Sequence, residues 1–292
     1  MLSIQHILCG THQGHTDSEY LAASILPDAI RAYTGRREYT HFEENAYQQD
    51  EPEKGDISYW TFPSDMKTIT RESVQAQLEQ TGHLATGIHP AAIGEMTHIE
   101  TFVEYNRTLP PTLFLGCKDH LTQDARFDAF IRTELDCRGK EQDVFLFQQQ
   151  EYNGAQVRQL IGQIEQHGIY ILAHDIYEKT GLLCNQDWLE TTIKPVLEDA
   201  YPMELAEQTF SYMKIDETVN QWITEKDWSH LDAGPIPHEH YESLYQKVFA
   251  DMEQNQQQQA YDQGIEAPRP VSDLLLTEED LAELSDAMEL SL

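Results

Sequence analysis

Two consecutive prolines, Pro110 and Pro111, precede a stretch whose apolar residues Leu113, Phe114, Cys117, Leu121, Phe127, Phe130 and Ile131 recur at roughly helical spacing. That pattern predicts one buried helix starting just after the prolines. His120 and Asp124 stand four residues apart in it and therefore share a face, one turn from each other. Cys117, Leu121 and Phe127 lie close by on that face, which turns it inward. An imidazole and a carboxylate buried together need compensation, from each other or from a cation. Any fold for this chain has to satisfy that pair.

The flanking sequence reads as further helices. Residues 1–45 predict a helix, a polar loop from Thr11 to Asp17, and a second helix from Glu19 that Asp17 or Ser18 can cap and Pro27 breaks. Residues 46–66 are acidic and carry prolines and a glycine around the aromatic run Tyr59-Trp60-Phe62, an excursion outside the core. Helices are expected over 70–80, 90–105 and 154–179, the last stopped by Gly181. Two more are expected within 186–226 and one over 238–260. No alternating strand run and no internal repeat stands out, so the expected class is all-α. A helical domain spans 1–261, residues 262–276 form a linker, and Thr277 to Asp280 resembles a capping box opening a short acidic amphipathic helix over 277–292.

Composition narrows the function. With 51 acidic against 19 basic residues, the net charge of −32 repels phosphate backbones and anionic headgroups, so no nucleic acid is expected through a basic face. A small anionic substrate held by metal ions stays compatible. The N-terminus shows no signal-peptide pattern, and no apolar run approaches the roughly 18 residues of a membrane span. Cys9, Cys117, Cys137 and Cys184 lack CxxC spacing and lie in apolar contexts, which fits reduced core thiols and a cytoplasmic protein.

Three settings among the thirteen histidines suggest chemistry. Asp28 follows Pro27 and precedes His41 by thirteen residues, His120 pairs with Asp124, and His174 with Glu178 forms a second i, i+4 pair. Helices each offering an imidazole and a carboxylate one turn apart, with another Asp and His available, suit a compact cluster of divalent ions. Mixed imidazole and carboxylate ligation favours zinc, or iron and manganese where oxygen predominates. A bundle interior is where such ligands converge.

These residues carry a resemblance. Tyr20 to Ile30 (YLAASILPDAI) is similar to the LLGSIAPDA segment of the zinc-dependent phospholipase C family, and Thr40-His41-Phe42 to the THF that follows it there. Phe114 to Asp124 resembles that family's LGYLxHLxTD, and His174 with Glu178 has the spacing of its later HxxxE pair. The resemblance touches roughly 1–45, 110–135 and 165–180. It implies an all-helical bundle shared with P1-type nucleases and a metal-dependent phosphoesterase or phosphodiesterase acting on a small phosphate-containing substrate. One to three zinc (alternatively iron or manganese) ions would lie in the core. It would make Asp28, His41, His120 and Asp124 the ligands of one zinc, put His174 and Glu178 at a neighbouring site, and cast Asp28 as the group that orients or deprotonates water. Secreted members use the amino group of a mature N-terminus as a ligand. Their N-terminal histidine ligand has three candidates here, His6, His12 and His15, and His167 is the nearest candidate for a further one.

Two other readings are open. An HD-type phosphohydrolase would use His174-Asp175, with His41 upstream and Asp187 or Asp199 downstream, and predicts Asp175 rather than Glu178 as a ligand. A non-catalytic helical scaffold would treat all of these pairs as core hydrogen bonds, the default for His83, His89, His98, His230, His238 and His240.

Overall fold

Pro110 and Pro111 do start the helix on which the molecule is built. In the computed structural model, which describes residues 1–34, 38–41, 61–80, 98–135, 138–141, 144–147 and 149–263, the chain is predominantly helical. Four short helices come first: α1 (Ser3–His12), α2 (Ser18–Ala23), α3 (Leu26–Thr34) and α4 (Glu38–His41). They are followed by α5 (Arg71–Gln80), α6 (His98–Asn106) and the central α7 (Pro111–Ala129). Then come α8 (Gly154–Thr180), α9 (Gln186–Trp188), α10 (Lys194–Ala200), α11 (Met203–Ser211), α12 (Glu217–Glu225) and α13 (His238–Asp262). Local chemistry sets many of the boundaries. Asp17, not Ser18, caps α2 by accepting from the Tyr20 amide. Asn153 and Gln156 form a reciprocal capping box at the start of α8, and Gly181 closes it in the left-handed conformation (φ 76°).

The expected all-α class holds with one addition. A three-stranded antiparallel meander, β1 (Arg138–Glu141), β2 (Val144–Phe147) and β3 (Gln150–Asn153), lies between α7 and α8. Phe145 pairs with Tyr152, Phe147 with Gln150, and Phe147 is buried. Strands of four residues are too short to show an alternation, and β2 is four apolar residues in a row between two polar strands. Within 186–226 the chain forms α9 and α10, joined by a π-turn over Leu189–Ile193, and then α11 and α12, more pieces than the two helices expected. Much of the helix expected over 90–105 and of the 46–66 excursion, all of the 277–292 tail, and Cys137, His83 and His89 lie outside the described residues. Met1–Asn255 forms one compact unit and Gln256–Leu292 a second, so the division falls within α13, short of the expected boundary at 261. No described helix is long and apolar enough to cross a membrane. Cys9, Cys117 and Cys184 are buried free thiols.

The core of the first unit is built on two packings, α1 against α8 and α2 against α7. The second is unusually close. A Cβ on Gly116 would lie 2.6 Å from Ala23 Cβ and 3.0 Å from Ala23 carbonyl carbon and Ser24 nitrogen. On another side of α7, the buried carboxylate of Asp119 accepts from Tyr20 Oη at 2.8 Å and from Asn255 Nδ2 at 2.8 Å, which ties together α2, α7 and α13.

Burial pushes the Asp119 carboxyl up to about 7 from its ordinary 3.8, against the hydrogen bonds from Asn255 and Tyr20 that pull it down. The folded value exceeds the unfolded one, so this group's contribution to stability is present below pH 3.8 and is lost as the pH rises to about 7. At about 1.4 kcal/mol per unit, the loss is on the order of 4 kcal/mol. An Asp119→Asn variant lacks this pH dependence. In urea unfolding, its stability relative to wild type is expected to improve steadily from pH 4 to 7; a pH-independent difference would mean that Asp119 is ionised throughout.

Candidate metal centre

Four segments bring their polar side chains to one buried point. α7 supplies His120 and Asp124, α1 supplies His6, the first turn of α3 supplies Asp28, and the last residue of α4 is His41. The imidazoles of His6, His41 and His120 are fully buried, Asp124 is nearly so, and Asp28 has a side chain 15% exposed. His41 Nε2 lies 3.4 Å from Asp28 Oδ1, 3.4 Å from Asp124 Oδ2 and 3.0 Å from His120 Nε2. His120 Nε2 is 3.5 Å from Asp124 Oδ2, and His6 Nε2 is 3.3 Å from Asp124 Oδ1. Among the described residues, two sets of three potential ligands are His6 with His120 and Asp124, and Asp28 with His41 and His120; His41, His120 and Asp124 also lie within 3.5 Å of one another.

The break at Pro27 explains much of this geometry. Proline has no N–H, so the Ala23 carbonyl four residues earlier loses its helical donor and α2 ends with carbonyls in need of partners. Side chains from elsewhere supply them. Cys117 Sγ donates to Ala23 O at 3.5 Å and His120 Nδ1 to Ser24 O at 2.8 Å, while Tyr201 Oη adds a second donor to Ala22 O, which also accepts from the Ile25 amide at 3.2 Å. The same proline begins α3 and puts Asp28 in its first turn, where a carboxylate is favoured by the helix dipole. Ser3 Oγ then donates to Asp28 Oδ2 at 2.7 Å.

Each imidazole is oriented in the same sense. The Nδ1 atom faces an oxygen in all three: Gln123 Oε1 at 2.8 Å for His6, Thr40 Oγ1 at 3.0 Å for His41, and the Ser24 carbonyl for His120. A carbonyl can only accept, so the proton of neutral His120 sits on Nδ1 and its Nε2 is a lone pair. Oxygen partners at Nδ1 that leave Nε2 facing inward are the usual support of histidine metal ligands.

The electrostatics keep these groups in ligand form. Burial pushes the Asp28 carboxyl up, but its bond to His41 and the nearby His120 imidazole outweigh this and hold it below the usual carboxylate range. For Asp124 burial is likewise outweighed, by the Met1 ammonium and His6, and the carboxyl is held well below its ordinary value. Burial and neighbouring His6 hold His120 well below the ordinary imidazole value. Ionised carboxylates and a neutral imidazole are what a cation requires.

The donor set fits a metal ion on two counts. His6 Nε2 is fully buried and makes no hydrogen bond, an orphaned atom aimed at the cluster. Ligands held at the ~2.0–2.1 Å of zinc–nitrogen and zinc–oxygen bonds in a tetrahedron stand about 3.4 Å apart, and the separations around His41, His120, Asp28 and Asp124 run from 3.0 to 3.5 Å.

Of the three candidates for an N-terminal histidine ligand, His6 is the one brought to the centre. His12 stacks on Phe249 and His15 on Tyr20, with ring centroids 4.0 Å apart in each case. The neighbours Ile4, Ile7, Leu8 and Cys9 mark His6 as buried, whereas His12 and His15 belong to a polar run; that difference is readable in the sequence. The α-amino group of Met1 donates to Asp124 Oδ1 at 2.8 Å and lies 3.8 Å from Glu165 Oε1, and no sequence signal singles out Glu165.

His174 and Glu178 join neither ligand set among the described residues. His174 Nδ1 pairs with Asp175 at 3.0 Å and its ring packs on Trp228, while Glu178 is exposed. The nine residues of helix from Glu165 to His174 make about two and a half turns, which puts His174 on the side of α8 opposite Glu165. Asp175, the ligand of the HD-type reading, is likewise in neither set. His167 Nε2 donates to the Leu231 carbonyl at 2.9 Å, and its ring lies against Gly234. His230 bonds Asp227 at 3.1 Å and stacks on Trp222.

Comparison with models of protein families, with curated proteins and with solved structures gives no match.

Proposed function

We propose that this chain is a metal-dependent hydrolase of phosphate esters, with one ion held by Asp28, His41, His120 and Asp124 and with His6 reaching the same cluster from α1. The observation that carries the reading is the convergence of three imidazole Nε2 atoms and two carboxylates in one buried cluster, each imidazole held by an oxygen at Nδ1. Zinc suits this donor set best, with iron or manganese as alternatives. Such an ion lowers the pKa of bound water to about 7 and neutralises charge on the phosphoryl oxygens.

The protein's own groups divide the remaining work. Asp28 is the most exposed member of the cluster, so water or substrate meets it first. Ser3 holds its Oδ2, His41 lies at Oδ1, and the carboxyl is kept ionised, which suits it to orient an attacking water by accepting its hydrogen bond rather than to take up its proton. The net charge of −32 favours a small phosphate ester over a long polyanion. A cytoplasmic setting accompanies this reading, supported by three buried free thiols.

A closed structural centre is the second reading, favoured by the complete burial of the three imidazoles. The two separate on hydrolysis of bis(p-nitrophenyl) phosphate by protein loaded with zinc, manganese or iron. Turnover that falls about 10²–10⁴-fold in Asp28→Asn with metal retained supports the hydrolase. Stoichiometric metal without turnover, and unfolding on chelation, assigns the structural centre instead.

A further inference from the structure

Gln123 stands between the two α7 ligands in sequence, but its side chain reaches across to α1 and α13. Its Oε1 is 2.8 Å from His6 Nδ1, and its Nε2 donates to Met252 Sδ at 3.3 Å. The residue is fully buried. The two ends of an amide side chain have nearly the same shape, so partner chemistry decides which faces where. A thioether sulfur accepts and has no proton to give, so the NH₂ end belongs at Met252 and the oxygen at His6. An amide oxygen only accepts. The proton of neutral His6 is thereby fixed on Nδ1, and Nε2 becomes the lone-pair nitrogen. That atom is the buried one that makes no hydrogen bond, even with Asp124 Oδ1 at 3.3 Å.

We infer that Gln123 is a positioning residue: it selects the Nδ1–H tautomer of His6 and so presents Nε2 to the centre as a ligand. The inference rests on reading the cluster as a metal centre. Met252, buried on α13, takes part by holding the amide in the orientation that makes the oxygen the acceptor. Neither residue touches the ion in this scheme. Both act through His6, in the way that hydrogen-bond partners behind a ligating imidazole set its orientation and basicity.

The test uses cobalt(II) and zinc titration of the full chain, wild type beside Gln123→Met and Gln123→Glu. Methionine keeps the length and packs against Met252, but its thioether sulfur is a far weaker acceptor for Nδ1 than an amide oxygen; its metal dissociation constant is expected to rise about 10–100-fold. Glutamate keeps the acceptor, and its affinity is expected to match or exceed wild type. A packing role predicts the reverse order, because glutamate would bury a charge while methionine would not, and that order would overturn the inference. Long-range ¹H–¹⁵N spectra of the metal-free wild type give an independent reading that needs neither variant to fold. His6 is expected as the Nδ1–H tautomer, and a His6 protonated at Nε2 instead would overturn the inference directly. Failure of wild type to bind either metal would sink the metal centre itself, while the tautomer measurement would still decide whether Gln123 positions His6.

Discussion

Purified wild-type protein is expected to hold zinc, iron or manganese at about one ion per chain, and His120→Ala to lose it. His120 is the one residue common to both sets of potential ligands, so its loss dismantles both. Removing His6 or His41 leaves at least one set of three intact. Affinities measured by competition with a chromogenic chelator should therefore fall most for His120→Ala, with Asp124→Ala close behind, since Asp124 lies within 3.5 Å of all three imidazoles. Each loss should exceed the roughly 10–100-fold expected when only a partner behind a ligand is changed. Circular dichroism establishes that the variants remain helical. A wild type that is metal-free, stays folded, and takes up no metal on reconstitution would make the cluster a set of core polar contacts and would put the scaffold reading first.

Gly116→Ala is expected to destabilise the protein even though alanine is the better helix former. The added methyl meets Ala23 Cβ at 2.6 Å and backbone atoms at 3.0 Å, none of which can swing aside as a flexible side chain would. Overpacking of this kind costs about 1–3 kcal/mol, and contact with backbone argues for the upper end. The gain in helix propensity is about 1 kcal/mol, which leaves a net loss of about 2 kcal/mol. Gly162 in α8 is the matched control, because nothing lies within 4 Å of its missing Cβ. Gly162→Ala should stabilise by up to about 1 kcal/mol. Opposite signs in urea or thermal unfolding support the close α2–α7 approach; equal, favourable effects at both positions would show that the two helices pack less closely. The same change at Gly116 should also weaken metal binding, since the Ser24 carbonyl that orients His120 sits on the displaced stretch of backbone.

Much of the centre is legible in the chain itself. Pro110-Pro111 and the apolar periodicity place His120 and Asp124 on one inward face, and Pro27 marks both the end of α2 and the first-turn position of Asp28. The resemblance carried by Asp28, His41, His120 and Asp124 groups residues that the fold does bring within about 3.5 Å of His41. The expectation for α8 reads differently in three dimensions. His174 and Glu178 have the right spacing for a pair, but the face of α8 that meets α1 carries Gly168, whose missing Cβ would meet Gln5, and Glu165 lies near the Met1 amino group.

Sequence alone determined which residues could be neighbours along one element, because the helical period and proline stereochemistry are properties of a few consecutive residues. Tertiary structure decided which faces meet. Gly116 against Ala23 sets how near α2 comes to α7, and the placement of α1 puts His6, not His12, against Gln123, Asp124 and His120. Gln123 acquires a partner in His6 only because residues 117 positions apart are folded together. The rotational phase between helices depends on side-chain packing across the whole interface, and no short stretch of sequence contains that information.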